Sequence, residues 1–131
     1  MTMTWSRLMS AASATYGGYA LSTPRHLGRF LTDDRKSQGD YDLLARTYGA
    51  RDLAISAVGL LGRSERSVTA AMLIRVACDV SDGLLLAPQT KDEETRAQVL
   101  AITFGWAGLN LLALARDRRV AKKRKRALTP Q

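Results

Sequence analysis

The run "AQVLAITFGWAGLNLLALA", residues 97–115, places nineteen consecutive residues without a charge near the end of the chain. As a helix it would rise about 28 Å, close to the ~30 Å hydrocarbon thickness of a bilayer. It is preceded by "KDEE" and followed by "RDRRVAKKRKR", so acidic groups sit at the positive end of the helix and basic groups at its negative end. The basic segment, Arg116 to Arg126, holds eight Lys or Arg against the single Asp117 and supplies most of the net charge of +8. The charge therefore describes a tail and says little about the fold. Directly behind an uncharged helix, such a cluster reads as a membrane stop. A nucleic-acid interface would need a basic face spread over the fold with aromatic residues interleaved.

The rest of the chain is read as helical too, which makes the class all-α. Helices are expected over 5–21, 41–61, 67–87 and 92–115, with no alternating β-branched run to compete. Pro24 and Pro88 end the first and third, Asp40 and Ser67 are candidate N-caps, and "TDDRKSQGD" reads as a polar linker. The short turn "GRSER" forces the second and third helices into an antiparallel hairpin. With 131 residues the chain makes one domain, a four-helix bundle over 1–115 with a disordered basic tail over 116–131. The opening residues lack the strongly apolar stretch of a removable signal peptide. One cysteine, Cys78, and one histidine, His26, exclude an internal disulfide and a His/Cys metal cluster within one chain. No metal and no cofactor is expected. His26 reads as a loop residue and Asn110 as an interhelical hydrogen-bonder.

The charges within the apolar segments demand an explanation. The second helix carries Arg46, Arg51 and Asp52, the third Arg75, Asp79 and Asp82, and the six sum to zero. In an antiparallel hairpin turning between Ser64 and Glu65, residues at equal depth have positions adding to about 129. Arg46 with Asp82, Arg51 with Asp79, and Asp52 with Arg75 add to 128, 130 and 127. Each pair is thus offset by no more than ~3 Å along the helix axes. Opposite charges at matched depth are what a buried network requires, because isolated ions there are very costly. Arg46 and Arg51 lie about 140° apart around their helix, so only one of them can face the third helix squarely. Small residues suggest where helices approach: Ala97, Ala101, Gly105 and Gly108 form a stripe on the last helix, and Ser10, Ala14 and Gly18 one on the first.

The segments "STPRHLGRF", "ARTYGARDLAISAVGLL" and "RVACDVSDGLLL" together resemble the small, four-helix integral membrane proteins of an uncharacterised domain-of-unknown-function family common in actinobacteria. The resemblance covers most of residues 5–115. It implies a membrane bundle without an established activity, and its matching positions are Gly49, Arg51, Asp52, Arg75, Asp79 and Asp82. Gly49 is accordingly read with Ala101, Gly105 and Gly108 as a helix-packing position. The leading expectation is a multi-pass cell-membrane protein with the lipid bilayer as partner and an Arg/Asp seam at its centre. A homo-oligomer and a small-molecule ligand are compatible with it. With both termini cytoplasmic, eleven Lys or Arg lie inside and six outside. Two other classes compete. One is a membrane-embedded isomerase, cyclase or oxidoreductase acting on a hydrophobic metabolite, with Asp79 or Asp82 as acid or base and Arg51 or Arg75 holding an oxyanion. The other, suggested by a mean hydropathy of −0.15, is a soluble helical bundle that binds nucleic acid or anionic lipid through its tail.

Overall fold

A computed structural model describes residues 2–130, which are all-helical with no strand among them. Four long helices are joined by shorter ones. Helix α1 spans Thr4–Ser22 and stops at the Thr-Pro step, as Pro24 requires. The stretch expected to be a linker is itself partly helical. It contains α2 (Arg25–Leu31), which carries His26, then α3 (Arg35–Gln38) and a 3-10 turn over Gly39–Tyr41. These short helices form because Pro24 suits a helix start and Asp34 accepts the backbone N–H of Lys36. Asp40 is not a cap: it lies within the 3-10 turn, and α4 (Asp42–Leu61) follows directly.

Helix α5 spans Glu65–Leu86 and starts earlier than expected, because the cap is Ser64, whose hydroxyl accepts the N–H of Ser67 at 3.1 Å. Helix α6 spans Glu93–Leu128. Asp92 caps it by accepting the Thr95 N–H at 2.7 Å, a bond that holds the Asp92 carboxyl below the usual carboxylate range. The helix thus runs past the expected end at residue 115. Beyond Ala115 the chain is mostly Ala, Leu, Arg and Lys, with no Gly or Pro before Pro130, so high propensity carries the helix on. Its 36 residues make a rod about 54 Å long.

The long helices alternate in direction around a ring in the order α1, α4, α5, α6. At one end, Asp117 of α6 is buried and accepts the backbone N–H groups of Trp5 and Ser6 at 3.2 and 2.7 Å. It satisfies donors that the start of α1 leaves orphaned, since Met3 offers no cap of its own. At the same end Arg7 donates to the carbonyls of Leu60 and Gly62 (2.9 Å to the latter), which close α4. Arg116 stacks over the Trp5 ring and Lys125 pairs with Glu65. At the opposite end Arg25 makes a bidentate pair with Asp42. There Lys91 bonds Asp33 through its ammonium and the carbonyl of Leu31 through its backbone N–H.

Helices α1 and α4 cross most closely where Gly17 meets Gly49. A Cβ on Gly49 would lie 2.8 Å from the Gly17 carbonyl, and one on Gly17 2.9 Å from the Gly49 carbonyl. Gly49 lies against Gly17, whereas Gly18 of the small-residue stripe has open space around it. The stripe on α6 does not pack. Ala101 and Gly105 are exposed, and a methyl group added at Gly105 or Gly108 would meet nothing within 4 Å. The face of α6 turned inward runs instead through Thr95, Val99, Ala107, Asn110 and Asp117.

The interior is layered. One apolar cluster (Leu27, Leu31, Ala45, Tyr48, Leu86, Val99) lies at the α2 end, and a second (Met3, Val68, Met72, Ala113, Leu114) at the other. Polar side chains occupy the space between them.

Candidate functional site

The middle layer is made where α4 and α5 run side by side. Arg75 is 2 % exposed, the largest of the fully buried side chains among the described residues. Its guanidinium donates to the backbone carbonyl of Asp52 at 3.0 Å and to the Ser56 hydroxyl at 2.9 Å, with a second nitrogen 3.5 Å from the Asp52 carboxylate. The expected pairing of Asp52 with Arg75 thus forms. Arg51 grips Asp82 through two bonds of 2.9 and 2.6 Å, reaches Asp52 at 3.3 Å, and lies over the Tyr48 ring at 4.7 Å.

The other two expected pairings do not form. Arg51 passes over Asp79 in favour of Asp82 because a helical side chain leans toward the N-terminus of its own helix. On α4 that lean carries the guanidinium along Tyr48 and, the helices being antiparallel, toward the C-terminal end of α5. Arg75 obeys the same rule in reverse and reaches Ser56, one turn beyond Asp52. Arg46 is exposed and has no ion pair among the described residues. The 140° between it and Arg51 puts it on the outer face.

This leaves Asp79 alone. Its Oδ2 is buried without a hydrogen-bond partner among the described residues. Both Asp79 and the Arg51–Asp82 pair line a cavity of about 290 Å³ enclosed by α1, α4, α5 and α6. Tyr16, Tyr48 and Trp106 give it aromatic walls, and Leu27, Leu86 and Ile102 apolar ones. Trp106 is fixed by donating its indole N–H to Ser13 at 3.2 Å. Tyr16 is fixed by His26, which is a structural member of α2 and not a loop residue. The His26 Nδ1–H donates to the Thr23 carbonyl at 2.7 Å, so with a neutral imidazole Nε2 accepts from the Tyr16 hydroxyl at 3.0 Å. A second, more apolar space of about 350 Å³, bordered by Phe30, Leu31 and Val99, shares Tyr16, Leu27, Leu86, Ile102 and Thr103 with the first.

Asn110, expected to bond between helices, donates instead to the Trp106 carbonyl of its own helix at 2.8 Å. Cys78 is half-buried. Two groups went unread in the sequence: Ser56, which completes the Arg75 environment, and the Tyr16–His26 pair. The i, i+4 spacing of Asp52 and Ser56 on α4 was the available signal for the first. Nothing local pointed to the second. Compared with protein-family models, curated proteins and solved structures, the chain matches none. Among the described residues one helix, α6, is long and apolar enough to cross a membrane.

Proposed function

We propose that this chain is a small multi-pass membrane protein, a four-helix bundle whose outer faces meet lipid and whose Arg/Asp layer holds α4 and α5 in register at mid-depth. The observation that carries this reading is the distribution of polarity. The buried set includes Ser6, Ser10, Ser13, Asp52, Ser56, Arg75, Asp82 and Asn110, while Leu43, Leu61, Ile74, Leu84, Leu85, Ile102 and Leu112 are exposed. Water-soluble domains bury such leucines and almost never bury arginine and aspartate wholesale. In hydrocarbon the pattern is favourable, since apolar side chains face lipid and polar ones pair inside. Helix α6 argues the same way: its apolar window has a mean hydropathy of 1.6, yet only 28 % of it is buried, whereas the core helix of a soluble protein would be mostly covered.

The resemblance to small actinobacterial four-helix membrane proteins belongs with this reading. So does an orientation with both termini in the cytoplasm, because Arg7, Arg63, Arg66 and the eight basic residues of 116–126 gather at one end. Membrane fractionation tests the proposal. The protein is expected to remain with membranes through a high-salt, alkaline wash and to leave them only with detergent. Recovery of most of it in the wash would overturn the reading in favour of a soluble bundle.

A further inference from the structure

Within the central layer the charges do not balance. Two arginines, Arg51 and Arg75, face three aspartates, and both guanidiniums are committed to Asp52, Asp82 and Ser56. Asp79 keeps a buried oxygen with no donor among the described residues. An ionised carboxylate without donors is costly unless a cation meets it, and the half-buried Asp79 borders a cavity; its Oδ2 is closed off, so a ligand there would meet Oδ1.

We infer that this cavity binds a small apolar molecule bearing one ammonium group, with Asp79 as its counter-ion. The head group is specified by what surrounds it. The local excess of one negative charge disfavours an anion. Tyr16 and Trp106 line the cavity, and aromatic rings attract a cation; an ammonium N–H gives the Asp79 carboxylate the donor that the described residues do not supply. The body of the ligand is specified by the apolar walls and by the adjoining space toward Phe30 and Val99. The two volumes, about 290 and 350 Å³, fall near the lower end of the ~300–1,000 Å³ range of small-molecule sites. Tyr16 of α1 and Ile102 of α6, both exposed, border the cavity. The Ser13–Trp106 bond ties these two helices together. The inference does not depend on whether the outer faces meet lipid.

The full chain, purified and placed in nanodiscs, is titrated calorimetrically with 4-phenylbutylamine and with 4-phenylbutan-1-ol, which share a body and differ in the head. The heat from protein-free nanodiscs is subtracted. The amine is expected to bind at least about tenfold more tightly than the alcohol, the scale of one charge-assisted hydrogen bond. Asp79→Asn should abolish that preference while moving alcohol affinity by less than about twofold. Ile102→Trp, at an uncharged lining position shared by both spaces, should weaken both ligands by filling the cavity. Equal affinity for amine and alcohol, or a preference that survives Asp79→Asn, overturns the inference. Should Asp79→Asn not fold, undiminished amine binding by Ile102→Trp overturns it instead. If fractionation yields soluble protein, the same titration in detergent-free buffer still decides this question separately.

Discussion

The guanidinium of Arg51 serves three partners at once, the carboxylates of Asp82 and Asp52 and the face of Tyr48, while that of Arg75 bonds to α4 alone. Truncating either arginine strands a buried carboxylate, so Arg75→Ala and Arg51→Ala should each cost on the order of 3–5 kcal/mol in thermal unfolding followed in detergent. Double-mutant cycles separate the partners. Arg51 with Asp82, and Arg75 with Asp52, should couple, each double variant losing less than its two single losses added. Arg51 with Asp79 should be nearly additive, and Arg46→Gln should change stability by less than about 0.5 kcal/mol because Arg46 is exposed. Strong coupling of Arg51 to Asp79 would contradict the geometry. Depth arithmetic along the hairpin was sufficient for Asp52 and Arg75 because both face the helix contact. It failed for Arg51 because an arginine acts a full turn from its Cα, in the direction its helix dictates.

Helices α1 and α4 approach through glycines, and the contrast with the glycines of α6 makes a direct test. Gly49→Ala places a methyl against the Gly17 carbonyl, so the helices must part, at a cost of about 1–3 kcal/mol. Gly105→Ala meets open space and should be neutral or raise stability by roughly 0.5–1 kcal/mol through helix propensity. The melting temperature should therefore fall for the first variant and hold or rise for the second, and equal losses would mean that α6 packs through its small stripe after all. Existence of the four long helices was legible from proline positions, the uncharged runs and the short turn. Their ends were less so. Ser64 and Asp92 cap as local chemistry suggests, but α1 is capped by Asp117 from the far end of the chain, a partnership with no local trace.

Taken whole, the molecule is asymmetric along its long axis, with the basic extension of α6, Arg63, Arg66 and the α1 start at one end and α2, α3 and the Lys91 turn at the other. If that asymmetry sets topology, replacing the eight basic residues of 116–126 with Gln should turn a uniform orientation into a mixed one, read by reporters fused after Gln131. An unchanged orientation would remove the tail as the determinant. The same replacement should leave the interior untouched apart from the Arg116–Trp5 and Lys125–Glu65 contacts, both at the surface, so ligand binding at the central cavity provides a control for folding.

Helical class, the hairpin of α4 and α5, the pairing of Asp52 with Arg75 and the polarity of the two ends all follow from local rules: propensity, turn length, and the periodic spacing of charges on a helix. Those rules act over one or two turns, and one sequence contains everything they need. Which carboxylate Arg51 takes, that Asp79 is left over, that Gly17 and not Gly18 meets Gly49, and that Tyr16 walls a cavity with residues of α5 and α6 depend on how four helices rotate about their own axes when they pack. A rotation of a few tens of degrees moves each residue from the seam to the outer face. The rotation is settled by all the contacts together, the close glycine crossing above all, so it becomes visible only once the helices are assembled.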